Sequence, residues 1–153
     1  MKKRLISALI LAAYSALLVK LLVFKTVSFK IGHLMFNFTG TSTGPANFVP
    51  LKTIAPYVRG EKGLVIAAFE LGGNIALFVP IGLLVPFVFP NMTWQRSLTF
   101  AVAAPLLVEI TQVVFRMGIF DIDDILLNAL GVMVGYVAFV VLAKWMPPSP
   151  PTQ

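Results

Sequence analysis

Residues 109–128 read EITQVVFRMGIFDIDDILLN. Glu109, Gln112 and Arg116 step by three and then four, which puts them on one face of a helix that is otherwise apolar. Asp121, Asp123, Asp124 and Asn128 follow, and apolar sequence resumes beyond them. Four of the six acidic residues in the chain therefore fall between positions 109 and 124. A polar cluster between two apolar runs marks the end of one membrane span, a turn, and the start of the next. Ionisable side chains at membrane depth are costly and tend to be kept where they have a use.

The rest of the composition agrees. Of 153 residues, 58% are hydrophobic and 12% charged, with a mean hydropathy of +0.91. Soluble domains carry about a quarter charged residues. The reading is one integral membrane domain over residues 1–153. The chain has no cysteine, which excludes disulfides, thiolate metal sites and a cysteine nucleophile. Its net charge of +6 comes from bases that flank apolar runs: Lys2, Lys3 and Arg4, Lys25 and Lys30, Lys52, Arg59 and Lys62, Arg96, Lys144. That distribution suits anionic lipid headgroups, and nucleic acid is not an expected partner.

A helical span needs about 20 apolar residues, and four segments qualify: residues 5–24, 64–89, 97–115 and 124–146. The expected fold is an all-α bundle of four transmembrane helices with a long loop, residues 25–63, between the first and second. Lys2-Lys3-Arg4 resembles the start of a signal peptide, but the apolar run continues to Phe24, so a retained anchor is expected. Pro80 and Pro86 interrupt the second span, and a bend is expected near Pro80. Trp94 and Trp145 fall on one membrane face as an interfacial belt. The apolar first part of the loop (Val27, Phe29, Ile31, then Phe36 and Phe38) suggests a β-hairpin or an interfacial segment. Residues 39–45 read as a turn, and residues 147–153 as a proline-rich tail that cannot continue a helix. With the N-terminus in the cytoplasm, five basic residues lie inside and six outside. The compact leading charges favour that orientation.

Four spans running up and down bring the start of the second, the end of the third, the start of the fourth and the long loop to one face. Glu70 and Asn74, Glu109 to Arg116, Asp121 to Asn128, and Asn47 and Pro50 can all meet there. Aspartate at the start of the fourth span is also a helix cap, a role open to Asp121 or Asp123. Asn74 and Asn128 can hydrogen-bond helices together. Glu109 needs a neutralising partner, and the same-face candidate is Arg116, about 10 Å along the axis. Gly131 and Gly135 have the spacing that permits close helix contact, within the bundle or in a homo-oligomer. His33 is a lone loop histidine and reads as incidental.

The blocks Asn47-Phe-Val-Pro50, Asn74-Ile-Ala-Leu-Phe-Val-Pro80-Ile-Gly82, Glu109-Ile-Thr-Gln112 with Arg116, and Asp121-Ile-Asp-Asp124-Ile-Leu-Leu-Asn128-Ala-Leu-Gly131 resemble the VanZ-like family. The resemblance covers residues 47–136 in order and spacing. It implies a multi-pass protein of a bacterial cell membrane, tied to the envelope or to resistance to the glycopeptide teicoplanin. It carries a polar motif onto Glu109, Gln112, Arg116, Asp121, Asp124 and Asn128, and earlier blocks onto Asn47, Pro50, Asn74, Pro80 and Gly82. Two functions follow. The first is an accessory or binding protein whose polar pocket (Glu109, Gln112, Arg116, Asp121, Asp124, Asn128, Asn74, Asn47) holds a membrane lipid, a lipid-linked precursor or a lipoglycopeptide, with Arg116 on a phosphate or carboxylate. The second is an intramembrane enzyme acting on a lipid or lipid-linked cell-wall precursor, with Glu109 and Asp124 as candidate catalytic carboxylates. No resident metal is expected, although such a cluster would suit Mg²⁺ or Ca²⁺ rather than zinc.

Overall fold

Elements follow in the order α1 (Lys2–Val23), β1 (Ser28–Ile31), β2 (Leu34–Asn37), α2 (Ala55–Val58), α3 (Leu64–Val88), α4 (Trp94–Val114) and α5 (Ile122–Ala143). The computed structural model describes residues 2–23, 28–31, 34–37, 45–116 and 118–145. Four helices, α1, α3, α4 and α5, are long and apolar enough to cross a membrane. At 1.5 Å per residue each reaches about 30 Å, the thickness of a hydrocarbon core. Leu9, Leu107, Val114, Leu130 and Val137 point outward and are at least half exposed. Side chains of that kind belong against lipid tails. This is a helical membrane bundle.

The expected span limits shift at three ends. Thr93 caps α4 by accepting from the Arg96 amide, so the helix begins at Trp94, before Ser97. Asp121 caps α5 through the Asp123 amide (2.9 Å), so that helix begins at Ile122, before Asp124. Its described end is Ala143. Helix α3 runs unbroken through Pro80 and Pro86. In the long loop, β1 and β2 pair antiparallel from Ser28 opposite Asn37 to Ile31 opposite Leu34. This is the hairpin among the two forms expected. His33, residues 39–44 and the proline-rich tail lie outside the described residues.

Helices in lipid gain nothing from hiding apolar surface, so close packing must hold them. Helices α3 and α5 meet backbone to backbone. A Cβ added at Gly82 would run into the Val132 carbonyl, one at Gly131 into the Ile75 carbonyl, and one at Gly135 into the Val79 carbonyl and the Leu83 nitrogen. The Gly131–Gly135 pair thus serves a contact inside the chain. Phe78, Ile81 and Val85 of α3, Ala101 of α4, Val132 of α5 and Leu18 of α1 form the buried core around it. Helix α1 is tied on by the Tyr14 hydroxyl, which donates to the Leu77 carbonyl (2.8 Å).

Candidate functional site

The loop before α2 returns to the bundle and pairs with the turn between α4 and α5. The Asn47 amide donates to the Phe120 carbonyl (2.8 Å), and the Ile122 amide donates to the Asn47 carbonyl (3.0 Å). These two bonds make a single parallel bridge between Asn47 and Asp121. The Asn47 side chain completes it. Its Nδ2 donates to Asp121 Oδ1 (2.8 Å) and to Thr53 Oγ1 (3.1 Å), while its Oδ1 accepts from the Val49 amide (3.1 Å). The Thr53 hydroxyl donates in turn to Asp121 Oδ2 (2.7 Å).

Asp123 fastens the same loop from below. Its carboxylate is 1% exposed and accepts three backbone amides, Leu51 (2.5 Å), Thr53 (2.6 Å) and Ile54 (3.2 Å). Successive amides turned inward make a nest for an anion. Aiming them requires Leu51 to adopt a φ of 66°, left-handed backbone that a branched side chain rarely takes. Such a conformation costs of order 1–3 kcal/mol and persists where its surroundings enforce it. Here three charge-assisted bonds do so.

Glu109, 2% exposed on α4, accepts from the Asp121 amide (3.1 Å). Asn74 of α3 donates to Asp124 Oδ1 (3.1 Å), joining α3 to α5. Gln112, also buried, donates to the Leu22 carbonyl at the end of α1 (3.0 Å). All four spans and the loop are thus connected at one membrane face by polar bonds, each stronger than it would be in water because the surroundings are apolar.

A cavity of about 300 Å³ opens beside this network, lined by Asn47, Lys52, Thr53, Gln112, Asp121 and Asp124 with Pro45, Ile119 and Phe120. Phe48 stacks on Phe120 at its edge, with ring centroids 5.0 Å apart. Tyr57 lies within the field of Glu70 and Asp124. Burial raises its hydroxyl above the ordinary value of 10.0, and the charges of Glu70 and then Asp124 raise it further. An unfolded chain ionises its tyrosine near pH 10. The contribution of Tyr57 to stability is therefore intact below about pH 10 and falls as pH rises through the folded value. Alkaline difference spectra of the wild type against Tyr57→Phe should place its transition above pH 10, and a midpoint at or below 10 would contradict this placement.

The sequence matches the model of the family described as VanZ/LLP1 over residues 11–143. The chain belongs to the VanZ/LLP1 family. A protein of Enterococcus faecium named Protein VanZ is 30% identical over 77 residues, which is 50% of this chain and 48% of that one. The aligned stretch thus spans about half the length of that relative. No solved structure matches.

The structure separates the residues singled out from the sequence. Asn47, Gln112, Asp121 and Asp124 line the cavity, while Glu109 and Asn74 stand behind them as hydrogen-bonding partners of Asp121 and Asp124. Asn128 is 3% exposed. Its Oδ1 is the buried side-chain atom that lacks a hydrogen-bond partner among the described residues. Arg116 does not line the cavity: it is exposed, on left-handed backbone (φ 56°) just past the end of α4. An ion pair joins Arg59 to Glu61 (2.6 Å). The cation that lines the cavity is Lys52. Lys52 and Thr53 were not among the candidate site residues, although they stand two and three positions beyond the Asn47–Pro50 block.

Asp121 and Asp123 carry hydrogen-bond donors on both oxygens, and no group of three His, Asp or Glu side chains among the described residues converges as metal ligands would.

Proposed function

We propose that this VanZ/LLP1 member is a multi-pass protein of a bacterial cell membrane that works as a binding or accessory factor of the envelope, linked to resistance to teicoplanin-type glycopeptides. The observation that carries this reading is the cavity itself. An ammonium (Lys52) and carboxylates (Asp121, Asp124) line one small space at a single membrane face, beneath a loop held in one conformation. Opposed charges around a fixed cavity suit recognition of a ligand that carries both. With the N-terminus in the cytoplasm, this face is the outer one, where a lipidated glycopeptide and its target would be met. The family relationship supports the link to teicoplanin.

The test compares teicoplanin susceptibility of a sensitive Gram-positive host carrying no insert, the wild type, Lys52→Gln or Asp124→Asn at matched protein levels. Vancomycin, which lacks the fatty acyl chain, is the control. Protection by the wild type, weakened in both variants and absent with vancomycin, is the expected result. Equal susceptibility with and without the wild type would end the resistance reading. The enzyme alternative, with Glu109 and Asp124 as its carboxylates, draws no observation of its own: Glu109 accepts the Asp121 amide and Asp124 accepts Asn74.

A further inference from the structure

The loop that precedes α2 holds apolar side chains outward close to the lipid-facing surface. Phe48, Val49 and Leu51 are each more than half exposed. Hydrogen bonds fix their depth. Asn47 pairs with Asp121, the cap of α5, and the Leu51 and Thr53 amides donate to Asp123 in its first turn. From Leu126 onward α5 carries exposed apolar side chains. The loop therefore lies about one helical turn, some 5 Å, from surface that faces lipid tails.

Holding these side chains out requires left-handed backbone at Leu51 (φ 66°) and a buried carboxylate to enforce it. In water a loop gains by turning apolar side chains in, and against lipid it gains by leaving them out. Bases accompany them. Between Asn47 and Leu64 the chain has Lys52, Arg59 and Lys62 against one acid, Glu61, and Glu61 pairs with Arg59. The turn over residues 59–63 stands clear of the rest of the chain, since a Cβ at Gly60 or Gly63 would meet nothing within 4 Å. Lys62 lies two residues before α3, which opens with the exposed Leu64 and Val65. Apolar side chains beside bases at the end of a span make up an interfacial anchor, and the sign of the charge favours anionic lipid.

We infer that residues 47–62 anchor this face of the protein in an anionic bilayer surface. Phe48, Val49 and Leu51 lie at the boundary between headgroups and acyl chains, and Arg59 and Lys62 stand on lipid phosphates. Lys52, which lines the cavity, is not needed for this contact, so the anchor is independent of what the cavity holds.

The chain has no cysteine, so single nitroxide labels can be placed without background. Val49→Cys, Glu61→Cys and Leu107→Cys, the last on the exposed flank of α4, would be labelled. The full-length protein would then be reconstituted sparsely in vesicles of phosphatidylcholine and phosphatidylglycerol. Electron paramagnetic resonance compares collisions with oxygen, which dissolves in lipid, and with a water-soluble nickel chelate. The label at position 49 should favour oxygen, as the one at 107 does, and the label at 61 should favour the chelate. A label at 49 that favours the chelate would place the loop in water, and one shielded from both would place it under another protein chain. Each of those results would overturn the anchor. Native mass spectrometry tests the charges through the ratio of phosphatidylglycerol to phosphatidylcholine retained. Lys62→Gln should lower that ratio about fivefold, the factor that one base near an anionic surface supplies. Glu61→Gln, which frees Arg59, should raise it. Both side chains are exposed, so both variants should elute as the wild type does. A ratio that either variant leaves unmoved would overturn the contact with lipid phosphates.

Discussion

Gly135→Leu is expected to leave little correctly folded protein, and Gly135→Ala to lower its yield sharply. The added carbon at Gly135 would meet the Val79 carbonyl and the Leu83 nitrogen, both backbone atoms of α3. A flexible side chain could turn aside, but a helix backbone can only move as a body. Overpacking a core costs about 1–3 kcal/mol when side chains can adjust. Here the two helices must separate, which places the leucine variant beyond about 3 kcal/mol. Proteins hold only about 5–15 kcal/mol in total. Gly73 provides the control, because a Cβ there meets nothing within 4 Å and alanine in a helix is favoured over glycine by about 1 kcal/mol. The monodisperse peak in detergent gel filtration should therefore grow or hold for Gly73→Ala and shrink for Gly135→Ala. Equal peaks would mean that α3 and α5 do not pack so closely.

Asp123→Ala is the second large effect. It leaves the amides of Leu51, Thr53 and Ile54 without their acceptor. It also removes what holds Leu51 in left-handed backbone. Hydrogen bonds to a charged group contribute about 1.5–3 kcal/mol each, and water reaches a released loop, so a net loss on the order of 3 kcal/mol is expected. The loss should be local, because α3 and α5 keep their glycine contact. Hydrogen exchange at those three amides should speed by about a hundredfold, the factor that such an energy corresponds to. Trypsin should also reach Lys52 and Arg59. Asp123→Asn keeps one carbonyl oxygen and should fall between the two. Exchange that is unchanged in the alanine variant would refute the latch.

Much of this was legible in the chain before any coordinates. Apolar runs of span length and their number determine a four-helix membrane bundle. An even number of crossings sends Asn74, Glu109, Asp121 and Asp124 to one face, and there they meet. The spacing of Gly131 and Gly135 announced a close helix contact. Its partner was not legible, because small residues with that spacing serve a second copy as readily as a neighbouring helix. The structure assigns it to α3, where Gly82 provides the matching gap.

The roles within the polar cluster were decided elsewhere. A side-chain pattern sets periodicity and therefore a helix face, but backbone amides leave no mark in it. Helical spacing offered Glu109 the Arg116 guanidinium as a same-face candidate and gave no sign of the Asp121 amide that it accepts from the following turn. Asp123 read equally well as a cap, but the cap is Asp121, and Asp123 binds a loop some 70 residues earlier in the chain. Lys52 gained its place at the cavity only when that loop folded back. Sequence alone determined the spans, their number and the face on which the polar residues gather, since these follow from local hydropathy and from parity. Tertiary structure alone decided which carboxylates hold the chain and which face the cavity, since that depends on where a distant loop brings its N–H groups.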